Sequence, residues 1–391
     1  MRIVFTSFAY YPELSGVPIV IKYLAEGLAK LGHVVTVITR MNGLSLDKQE
    51  YLNGVEIIRF NIGQTITKKN TGEIDSYINY VIKVPKDVLV LECLQCQTTD
   101  ILLPYLSRIS CKKILHSHGA PGILMKPIAW EGDILHTIGH IHNWIRWKHY
   151  YKWTFPKYSK GIDAAVCLSI CSSDMDYLSK TVGHVFIAEN AAQDPFFNDD
   201  SLSEDIVPLL GIKNKSYILN ISNYSDRKNQ IQLIKSFTEA NLSGISLVLI
   251  GSKVNQYYFK VKRLVEKISQ RREIDIVLLH DIDRRYFPRI IKQAKLFAMT
   301  SKWEEYPVSL VETMAVGTPF VSTLVGNAHI LPGGVTARNE SEISSLIRVL
   351  ISNEVLLFRL SKSSKEYALK NNKLDVVIDN YERILNTIIE S

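Results

Sequence analysis

The segment that decides the fold spans Thr300–Pro319 and has the sequence TSKWEEYPVSLVETMAVGTP. An apolar run, Leu296–Thr300, leads into it and predicts a buried strand. Pro307 suits the first position of a helix, where the missing amide hydrogen costs nothing, and Gly317 suits the end of that helix. The segment therefore predicts a strand, a short loop and a helix in succession. We expect the free amides of the first helical turn, Val308–Leu310, to form a positive pole that can hold a phosphate.

The same alternation of strand and helix extends over the rest of the chain. Most of the apolar runs are continuous and rich in Val, Ile and Leu, which is typical of strands buried on both faces of a parallel sheet. The clearest helix is Val20–Leu31, which Gly32 follows. The alternation predicts an α/β protein with doubly wound sheets. Strands are expected at Arg2–Thr6, Val34–Ile38, Val55–Phe60, Val88–Leu91, Lys113–His116, Ala164–Leu168 and Val185–Ala188, and again at Tyr217–Ile221, Ser246–Ile250, Ile276–Leu279, Leu296–Thr300 and Pro319–Ser322.

Two domains of similar size are expected, because 391 residues exceed what one ordinary core holds. The polar segment Asn190–Glu204 is interpreted as the linker between them. We place an N-terminal domain at 1–193 and a C-terminal domain at 194–391, whose last helix, at about 373–390, is expected to pack back on the N-terminal domain. Two such domains facing each other would form a cleft at the carboxyl ends of both sheets, where folds of this class bind ligands.

The composition is that of an ordinary globular protein. Hydrophobic residues make up 46% and charged residues 22% of the chain, and the net charge is +7. This charge is spread over both halves, which is not the pattern of a nucleic-acid-binding domain. The sequence shows neither a secretory signal nor a run of about 18 apolar residues that could span a membrane. We therefore expect a cytoplasmic protein.

The five cysteines are expected to be reduced thiols, because an odd number in a chain without a secretory signal argues against disulfides. Cys93 with Cys96, and Cys167 with Cys171, could be drawn as four zinc ligands. Both pairs lie at the ends of apolar strands, where cysteine often serves as a small hydrophobic residue. No metal site is therefore predicted.

Two glutamates, Glu304 and Glu312, stand in the opening segment before Met-Ala-Val-Gly-Thr-Pro. This pattern resembles the donor-site signature of glycosyltransferase family 4, a family of retaining, group 1 glycosyltransferases with the GT-B fold of two facing Rossmann-like domains. The resemblance implies that Glu304 contacts the donor sugar and stabilises its positive charge in the transition state. It implies that Glu312 accepts hydrogen bonds from the ribose hydroxyls, and that the amides near Val308 and Ser309 bind the donor phosphates. The alternative is a solvated acidic loop and an exposed helix glutamate.

The segment Ile218–Asn229 is similar to the first strand and loop of the family's C-terminal domain. That loop carries an arginine and, five residues later, a lysine on the donor diphosphate. Lys228 matches the lysine, whereas Asn223 holds the arginine position and removes one charge from the site. Arg227 could compensate for that loss. By the same resemblance Ile282, at the end of another strand, would lie near the base.

The N-terminal half contributes two further candidates. Tyr10–Gly16 resembles the opening loop of the family, with Ser15 in place of the first of two glycines, and Gly16 would let the backbone approach the phosphate or acceptor closely. His118 matches a histidine that faces the cleft in the family, and it would donate a hydrogen bond to the donor phosphate or to a substrate hydroxyl. His116 is expected to be buried. The alternatives are a plain turn glycine and a structural histidine.

Residues 126–160 are basic and aromatic, with four of the five tryptophans of the chain. Ile134, Ile138, Ile141 and Ile145 mark a helical stripe that starts near Asp133. Basic residues with Trp and Tyr suit an anionic membrane surface. The alternative is a helix that packs its isoleucines on the N-terminal domain. The tryptophans are Trp130, Trp144, Trp147 and Trp153, and the charged residues are Lys126, Glu131, Asp133, Arg146, Lys148, Lys152, Lys157 and Lys160.

The resemblance implies a retaining hexosyltransferase that moves a sugar from a nucleoside diphosphate sugar, with a UDP-sugar as the expected donor, to a hydroxyl of a saccharide or lipid-linked saccharide. Lys228 and the helix amides would stabilise the leaving diphosphate, so no cofactor or metal is expected and activity should survive a chelator. The resemblance favours bacterial surface polysaccharide biosynthesis, of lipopolysaccharide, capsule or exopolysaccharide. The protein would be cytoplasmic or peripheral on the inner membrane face.

The sequence also leaves room for other functions on this architecture. A sugar-nucleotide epimerase or phosphorylase could use the same architecture, and it would act without the proposed acceptor. A non-catalytic nucleotide-sugar-binding subunit of a partner transferase is favoured by Asn223. A nicotinamide-dependent dehydrogenase is disfavoured, because no Gly-x-Gly-x-x-Gly follows the first strand.

Overall fold

The computed structural model describes residues 1–13, 16–41, 46–65, 69–127, 134–198, 207–339 and 341–391. The chain divides into two compact units. Unit 1 comprises Met1–Glu189 and Val377–Ser391, and unit 2 comprises Asn190–Val376. Some of the predictions above concern residues that lie outside the described ones, namely Ser15, Trp130, Glu131, Asp133 and the linker residues 199–204.

The described residues of unit 1 contain ten strands, eight of which form one main sheet whose two central strands are buried except at Arg2. The ten strands are β1 (Arg2–Ser7), β2 (Val34–Arg40), β3 (Gln49–Leu52), β4 (Val55–Phe60), β5 (Ile62–Gln64), β6 (Asn70–Gly72), β7 (Val88–Glu92), β8 (Lys112–His116), β9 (Ala164–Cys167) and β10 (Val185–Ile187). The main sheet has the order β10-β9-β8-β7-β1-β2-β4-β3, and β5 pairs with β6 separately. Pairing in the main sheet is parallel except between β3 and β4.

Helices pack on this sheet and close its core, in which Tyr77, Leu102, Leu115 and Phe155 are fully buried. The helices are α1 (Val17–Lys30), α2 (Ile74–Lys83), α3 (Gln97–Leu102), α4 (Pro121–Leu124), α5 (Ile134–His149), α6 (Phe155–Ser159) and α7 (Met175–Thr181). A π-helical turn, Tyr150–Thr154, connects α5 to α6.

Unit 2 contains a second, entirely parallel sheet with the order β13-β12-β11-β14-β15-β16. Its strands are β11 (Ser216–Ile221), β12 (Ile245–Gly251), β13 (Ile276–His280), β14 (Leu296–Met299), β15 (Phe320–Thr323) and β16 (Gly334–Ala337). Its helices are α8 (Gln230–Ala240), α9 (Gln256–Ser269), α10 (Phe287–Gln293), α11 (Val308–Val316), α12 (Glu342–Ser352) and α13 (Glu354–Asn371).

The last helix, α14 (Leu374–Glu390), belongs to unit 1 from Val377 onward. It buries one apolar face, which includes Ile378, Tyr381 and Leu385. A Cβ atom on Gly27 of α1 would lie 2.4 Å from the side chain of Ile378. Glycine at this position therefore lets α1 and α14 pack closely.

Every strand predicted from a continuous apolar run is present, with ends that agree to within one or two residues. The sequence did not predict β3, β5, β6 and β16. These strands are short, and β3 and β6 carry mostly half-buried or exposed residues. They are defined by the partner strand beside them, which periodicity along the chain does not show.

The alternative in which the helix packs its isoleucines on the N-terminal domain does not hold for two of them. Ile138 and Ile145 are 57% and 56% exposed. The region is anchored instead by the aromatic residues after α5, because Tyr150 and Phe155 are buried in the unit 1 core. In the part of the chain that the structure describes, no helix is both long enough and apolar enough to cross a membrane.

Candidate functional site

One group of predicted site residues lies at the carboxyl edge of the unit 2 sheet. Because β11 and β14 are neighbouring parallel strands, the loops that follow them lie at the same edge. Lys228, from the loop after β11, contacts Glu304, from the loop after β14, with a distance of 2.5 Å between Nζ and Oε1. The two side chains are 15% and 7% exposed. The structure thus brings together, in a shielded ion pair, two residues that the sequence assigned to the donor from separate motifs.

Hydrogen bonds on both sides of Lys228 hold these two loops together. The hydroxyl of Thr300 donates to the carbonyl of Asn229 at 2.9 Å. The amide of Lys302 donates to the carbonyl of Arg227 at 2.8 Å. Asn229 has a left-handed backbone, with φ of 53°, which asparagine tolerates better than most residues, and it caps α8. The Lys228 backbone is therefore fixed by the end of β14.

The helix of the opening segment begins one residue later than predicted. Pro307 is the N-cap rather than the first helical residue, and α11 starts at Val308. The expected free amide at Leu310 is also wrong, because it donates to the Pro307 carbonyl at 3.0 Å in a tight first turn. Val308 and Ser309 head the helix and are half-buried. Gly317 ends it with φ of 86°, the left-handed conformation that favours glycine.

Glu312 lies within α11 and is 2% exposed, so the alternative of an exposed helix glutamate is wrong. Burial raises the pKa of its carboxyl to about 7, although the neighbouring Arg284 guanidinium acts in the opposite direction. Arg284 donates a hydrogen bond from Nη2 to Oε1 of Glu312. The Arg284 side chain is itself 38% exposed. Glu312 is therefore a buried carboxylate held by one partly accessible cation.

Arg284 was not identified as a site residue from the sequence, although its position in the chain indicates one. It follows the half-buried Ile282 by two residues in the loop after β13, the loop that the resemblance places near the base. A 3₁₀ turn, Arg284–Tyr286, begins here, and its cap Asp283 accepts a hydrogen bond from the amide of Arg285 at 2.9 Å. This turn aims Arg284 at Glu312, whereas the Arg285 side chain pairs with Asp283.

Asn223 and Arg227, the position without the expected charge and its possible substitute, lie in different surroundings. Asn223 is exposed, and its carbonyl accepts a hydrogen bond from Nε2 of Gln230 at 3.0 Å. The guanidinium of Arg227 lies over the ring of Trp303, 5.6 Å from its centroid. Arg227 is thus engaged with an aromatic ring, while Arg284 is the arginine that the structure brings to a predicted donor residue.

A third loop, after β15, approaches the Glu304 segment. A Cβ atom on Gly326 would lie 2.3 Å from the carbonyl oxygen of Glu305, so only glycine fits this approach. The next amide, of Asn327, donates to the same carbonyl at 3.2 Å. Among the described residues the buried amide group of Asn327 has no hydrogen-bond partner for its nitrogen or its oxygen. Asparagine here therefore places an unpaired amide beside the candidate donor site.

The remaining predicted residues, His118 and Gly16, belong to unit 1. His118 is 9% exposed, and its Nε2 lies 2.7 Å from Oε2 of Glu92. His116 is 1% exposed, as predicted, and its Nδ1 lies 3.4 Å from Oε1 of Glu92. Burial raises the pKa of the Glu92 carboxyl, but the two histidines outweigh burial and lower it to about 2. Gly16 is exposed and caps α1 with φ of 66°, a positive value that favours glycine.

Glu92 was not singled out in the sequence, where it is an isolated acid at the end of the apolar strand β7. Among the described residues, Glu92, His116 and His118 are the one group whose ligand atoms lie close enough together to hold a metal ion, all within 4.8 Å of one another. The cysteines form no such group among the described residues, and none of the five takes part in a disulfide there.

The C-terminal part of the sequence matches a known protein family. Residues 203–367 match the family model described as glycosyl transferases group 1. That range contains Lys228, Glu304, Glu312 and Arg284. No curated protein matches the sequence.

Solved structures match over nearly the whole chain at low sequence identity. A sucrose-phosphate synthase from Thermosynechococcus elongatus is 14% identical with a TM-score of 0.77, and the match covers 100% of this chain and 99% of that one. Anabaena HepE in complex with UDP-glucose is 12% identical, with a TM-score of 0.68 and coverage of 99% and 100%. An α,α-trehalose 6-phosphate synthase from Burkholderia multivorans is 12% identical, with a TM-score of 0.68 and coverage of 100% and 99%. The chain therefore has the predicted GT-B fold of two Rossmann-like domains.

Proposed function

We propose that this protein is a glycosyltransferase that moves a sugar from a nucleoside diphosphate sugar to a hydroxyl group of an acceptor. The observation that carries the proposal is the contact between Lys228 and Glu304 just before α11, within the segment that matches a glycosyltransferase model. A cation, a carboxylate and the amides that head a helix offer separate partners for the diphosphate and the sugar of such a donor.

The donor diphosphate is assigned to Lys228 and to the amides of Val308 and Ser309. A bound diphosphate would share the Lys228 ammonium with Glu304, whose carboxylate would then face the sugar and stabilise its positive charge as the transition state forms. Glu312 would accept hydrogen bonds from the ribose hydroxyls. In this arrangement Arg284 supplies positive charge that Asn223 does not.

Transfer would proceed with retention of the anomeric configuration, as the family resemblance implies. The bond between the anomeric carbon and the phosphate oxygen breaks, and a bond to the acceptor oxygen forms on the same face of the sugar. The acceptor proton passes to the departing diphosphate, whose charge Lys228 and the helix amides stabilise. His118 is proposed to donate a hydrogen bond to the donor phosphate or to a substrate hydroxyl.

A UDP-sugar is proposed as the donor, because HepE, a protein of the same fold, is found with UDP-glucose. The acceptor is proposed to be a saccharide or a lipid-linked saccharide of a bacterial surface polysaccharide. No cofactor is assigned, and the direct partners of the diphosphate remove the need for a metal ion on it.

Contact with an anionic membrane is proposed for residues 126–160. Ile138, Ile145 and Trp153 are more than half exposed, and they share this region with exposed lysines. Lys148 and Lys152 also line a pocket of about 260 Å³ together with Gly122, Ile123 and Tyr151. Exposed apolar side chains among lysines suit the boundary between lipid headgroups and acyl chains.

A non-catalytic subunit that binds a nucleotide sugar is the second candidate. It is favoured by Asn223, which is exposed and neutral where the family resemblance expects an arginine. Transfer or hydrolysis of the donor by the isolated chain would exclude this candidate.

A thermal-shift screen against common nucleotide sugars tests the proposal. A ligand at about 100 times its Kd stabilises a protein by about 2.7 kcal/mol, so one or a few donors should raise the Tm clearly. Lys228→Ala should abolish the shift. Lys302→Ala is the matched control, because Lys302 sits in the partner loop but pairs with Asp226 at the exposed surface. The proposal fails if no nucleotide sugar shifts the Tm, or if both variants respond alike.

A further inference from the structure

We propose that unit 1 contains a binding site for one divalent transition-metal ion, with Zn²⁺ as the best match, formed by Glu92, His116 and His118. The sequence predicted no metal site, and Glu92 was not among its candidate residues. The proposal rests on unit 1 alone. His118 would bind the ion through Nε2, which leaves Nδ1 as the ring nitrogen that could donate to a substrate.

The sheet places the three ligands side by side. Glu92 and His116 are the last residues of the neighbouring parallel strands β7 and β8, and they are register partners. The Cys93 amide, just past Glu92, donates to the His116 carbonyl at 2.9 Å, which holds the two strand ends together. His118 follows His116 by two residues, and the two imidazole centroids are 4.4 Å apart. Ligands held on strand ends need little rearrangement to bind an ion.

The distances between the side-chain atoms of Glu92, His116 and His118 suit coordination of one shared ion. Ligands at about 2.0–2.1 Å from a tetrahedral zinc ion lie about 3.3–3.4 Å from one another. The distance between Nδ1 of His116 and Oε1 of Glu92 is 3.4 Å, longer than an ordinary N–H···O hydrogen bond. Nε2 of His118 lies 2.7 Å from Oε2 of Glu92, a hydrogen bond that a shared cation would replace.

The group also contains polar atoms that the described protein leaves unpaired. Oε1 of Glu92 and both ring nitrogens of His116 are buried without a hydrogen-bond partner among the described residues. Tyr381 of α14 packs against His116, with 5.4 Å between ring centroids, and its buried hydroxyl has no partner there either. Unpaired buried polar atoms are costly, by about 1–3 kcal/mol each. A cation bound to the carboxylate and the imidazoles would satisfy two of these four atoms, Oε1 of Glu92 and one ring nitrogen of His116.

The chemistry of the ligands selects the ion. Two neutral imidazoles and one carboxylate suit Zn²⁺ and its neighbours in the first transition series, whereas Mg²⁺ and Ca²⁺ favour oxygen ligands. One carboxylate and a divalent ion leave a single positive charge in a buried site. Tyr381 packs against His116, so an ion on His116 would fix the ring against which α14 packs.

The test measures zinc bound to the full-length chain after dialysis against a chelator and titration with Zn²⁺ alone. We expect one Zn²⁺ per chain and a higher Tm in its presence. Glu92→Gln and His116→Ala should each lower zinc affinity by more than tenfold. His33→Gln is the matched control, because His33 forms a separate His–Glu pair in unit 1, 2.7 Å from Glu382, and should leave binding unchanged.

Two outcomes would overturn the inference. One is a wild-type chain that binds no stoichiometric zinc. The other is a zinc ion held by thiolates, which the double variant Cys93→Ser, Cys96→Ser would reveal by losing it. Should Glu92→Gln or His116→Ala fail to fold, the absorption spectrum of the wild type with Co²⁺ decides, because nitrogen and oxygen ligands give no thiolate-to-cobalt charge-transfer band, and such a band contradicts the site.

Discussion

The buried carboxyl of Glu312 should make nucleotide binding depend on pH. Its pKa is raised to about 7, first by burial, with Arg284 opposing the shift. The ribose hydroxyls would donate to the ionised carboxylate, so protonation must weaken binding. With a pKa of about 7 the ionised fraction is about 0.9 at pH 8 and about 0.1 at pH 6. The affinity for UDP should therefore fall about tenfold between these values, or about 1.4 kcal/mol.

Isothermal titration of UDP at pH 8 and pH 6 measures this loss. Because the phosphates of UDP also titrate, the variant Glu312→Gln serves as the reference. It preserves the shape of the side chain but has no proton to gain. The wild type should lose about tenfold more affinity than the variant on acidification. If wild type and Glu312→Gln show the same pH dependence, Glu312 does not contact the ribose and the donor assignment is wrong.

Three further outcomes are expected. Glu304→Gln should lower kcat more than it weakens UDP binding, because the carboxylate matters most when charge develops on the sugar. If kcat and UDP affinity fall by the same factor, Glu304 contributes to binding of the ground state and not to the transition state. Transfer should continue in buffer without Mg²⁺ or Mn²⁺, and a strict need for either ion would refute the assignment of the diphosphate to Lys228 and the α11 amides. Replacing Lys148, Lys152, Lys157 and Lys160 with Glu should reduce co-sedimentation with anionic vesicles, by up to about 1 kcal/mol for each lysine near the surface, and salt should have the same effect. The matched control replaces four exposed lysines of unit 2, namely Lys253, Lys260, Lys262 and Lys267. If the two variants bind alike, or if the wild type binds neutral vesicles equally well, residues 126–160 do not contact an anionic membrane.

Much of the fold could be predicted because the parallel strands are buried on both faces. Such strands appear as continuous apolar runs, so β1, β7, β11 and β14 were found with little error. A short strand such as β3 depends on its antiparallel partner, and no period along the chain indicates it. Pro307 and Gly317 were nearly sufficient to predict the bounds of α11, because the predicted end at Gly317 was right and the predicted start differed by one residue.

The candidate site was harder to predict from the sequence, because it depends on contacts between segments that are distant along the chain. Lys228 and Glu304 could be placed by their motifs, but their ion pair exists only because β11 and β14 are neighbours in the sheet. The sequence could not distinguish Arg284 from Arg227 as the cation near a donor glutamate, since the 3₁₀ turn after β13 decides where Arg284 points. Glu92 could be recognised as a candidate ligand only from its pairing with His116 in the sheet.

The central claim is that the isolated chain breaks down a nucleoside diphosphate sugar at the unit 2 site. The most direct measurement is the release of UDP or GDP from a panel of nucleotide sugars, with and without lipid-linked saccharide acceptors, by the wild type and by Lys228→Ala. We predict release from one or a few donors, stimulated by an acceptor, and its loss in Lys228→Ala but not in Lys302→Ala. No release from any donor, or full release by Lys228→Ala, would contradict the account.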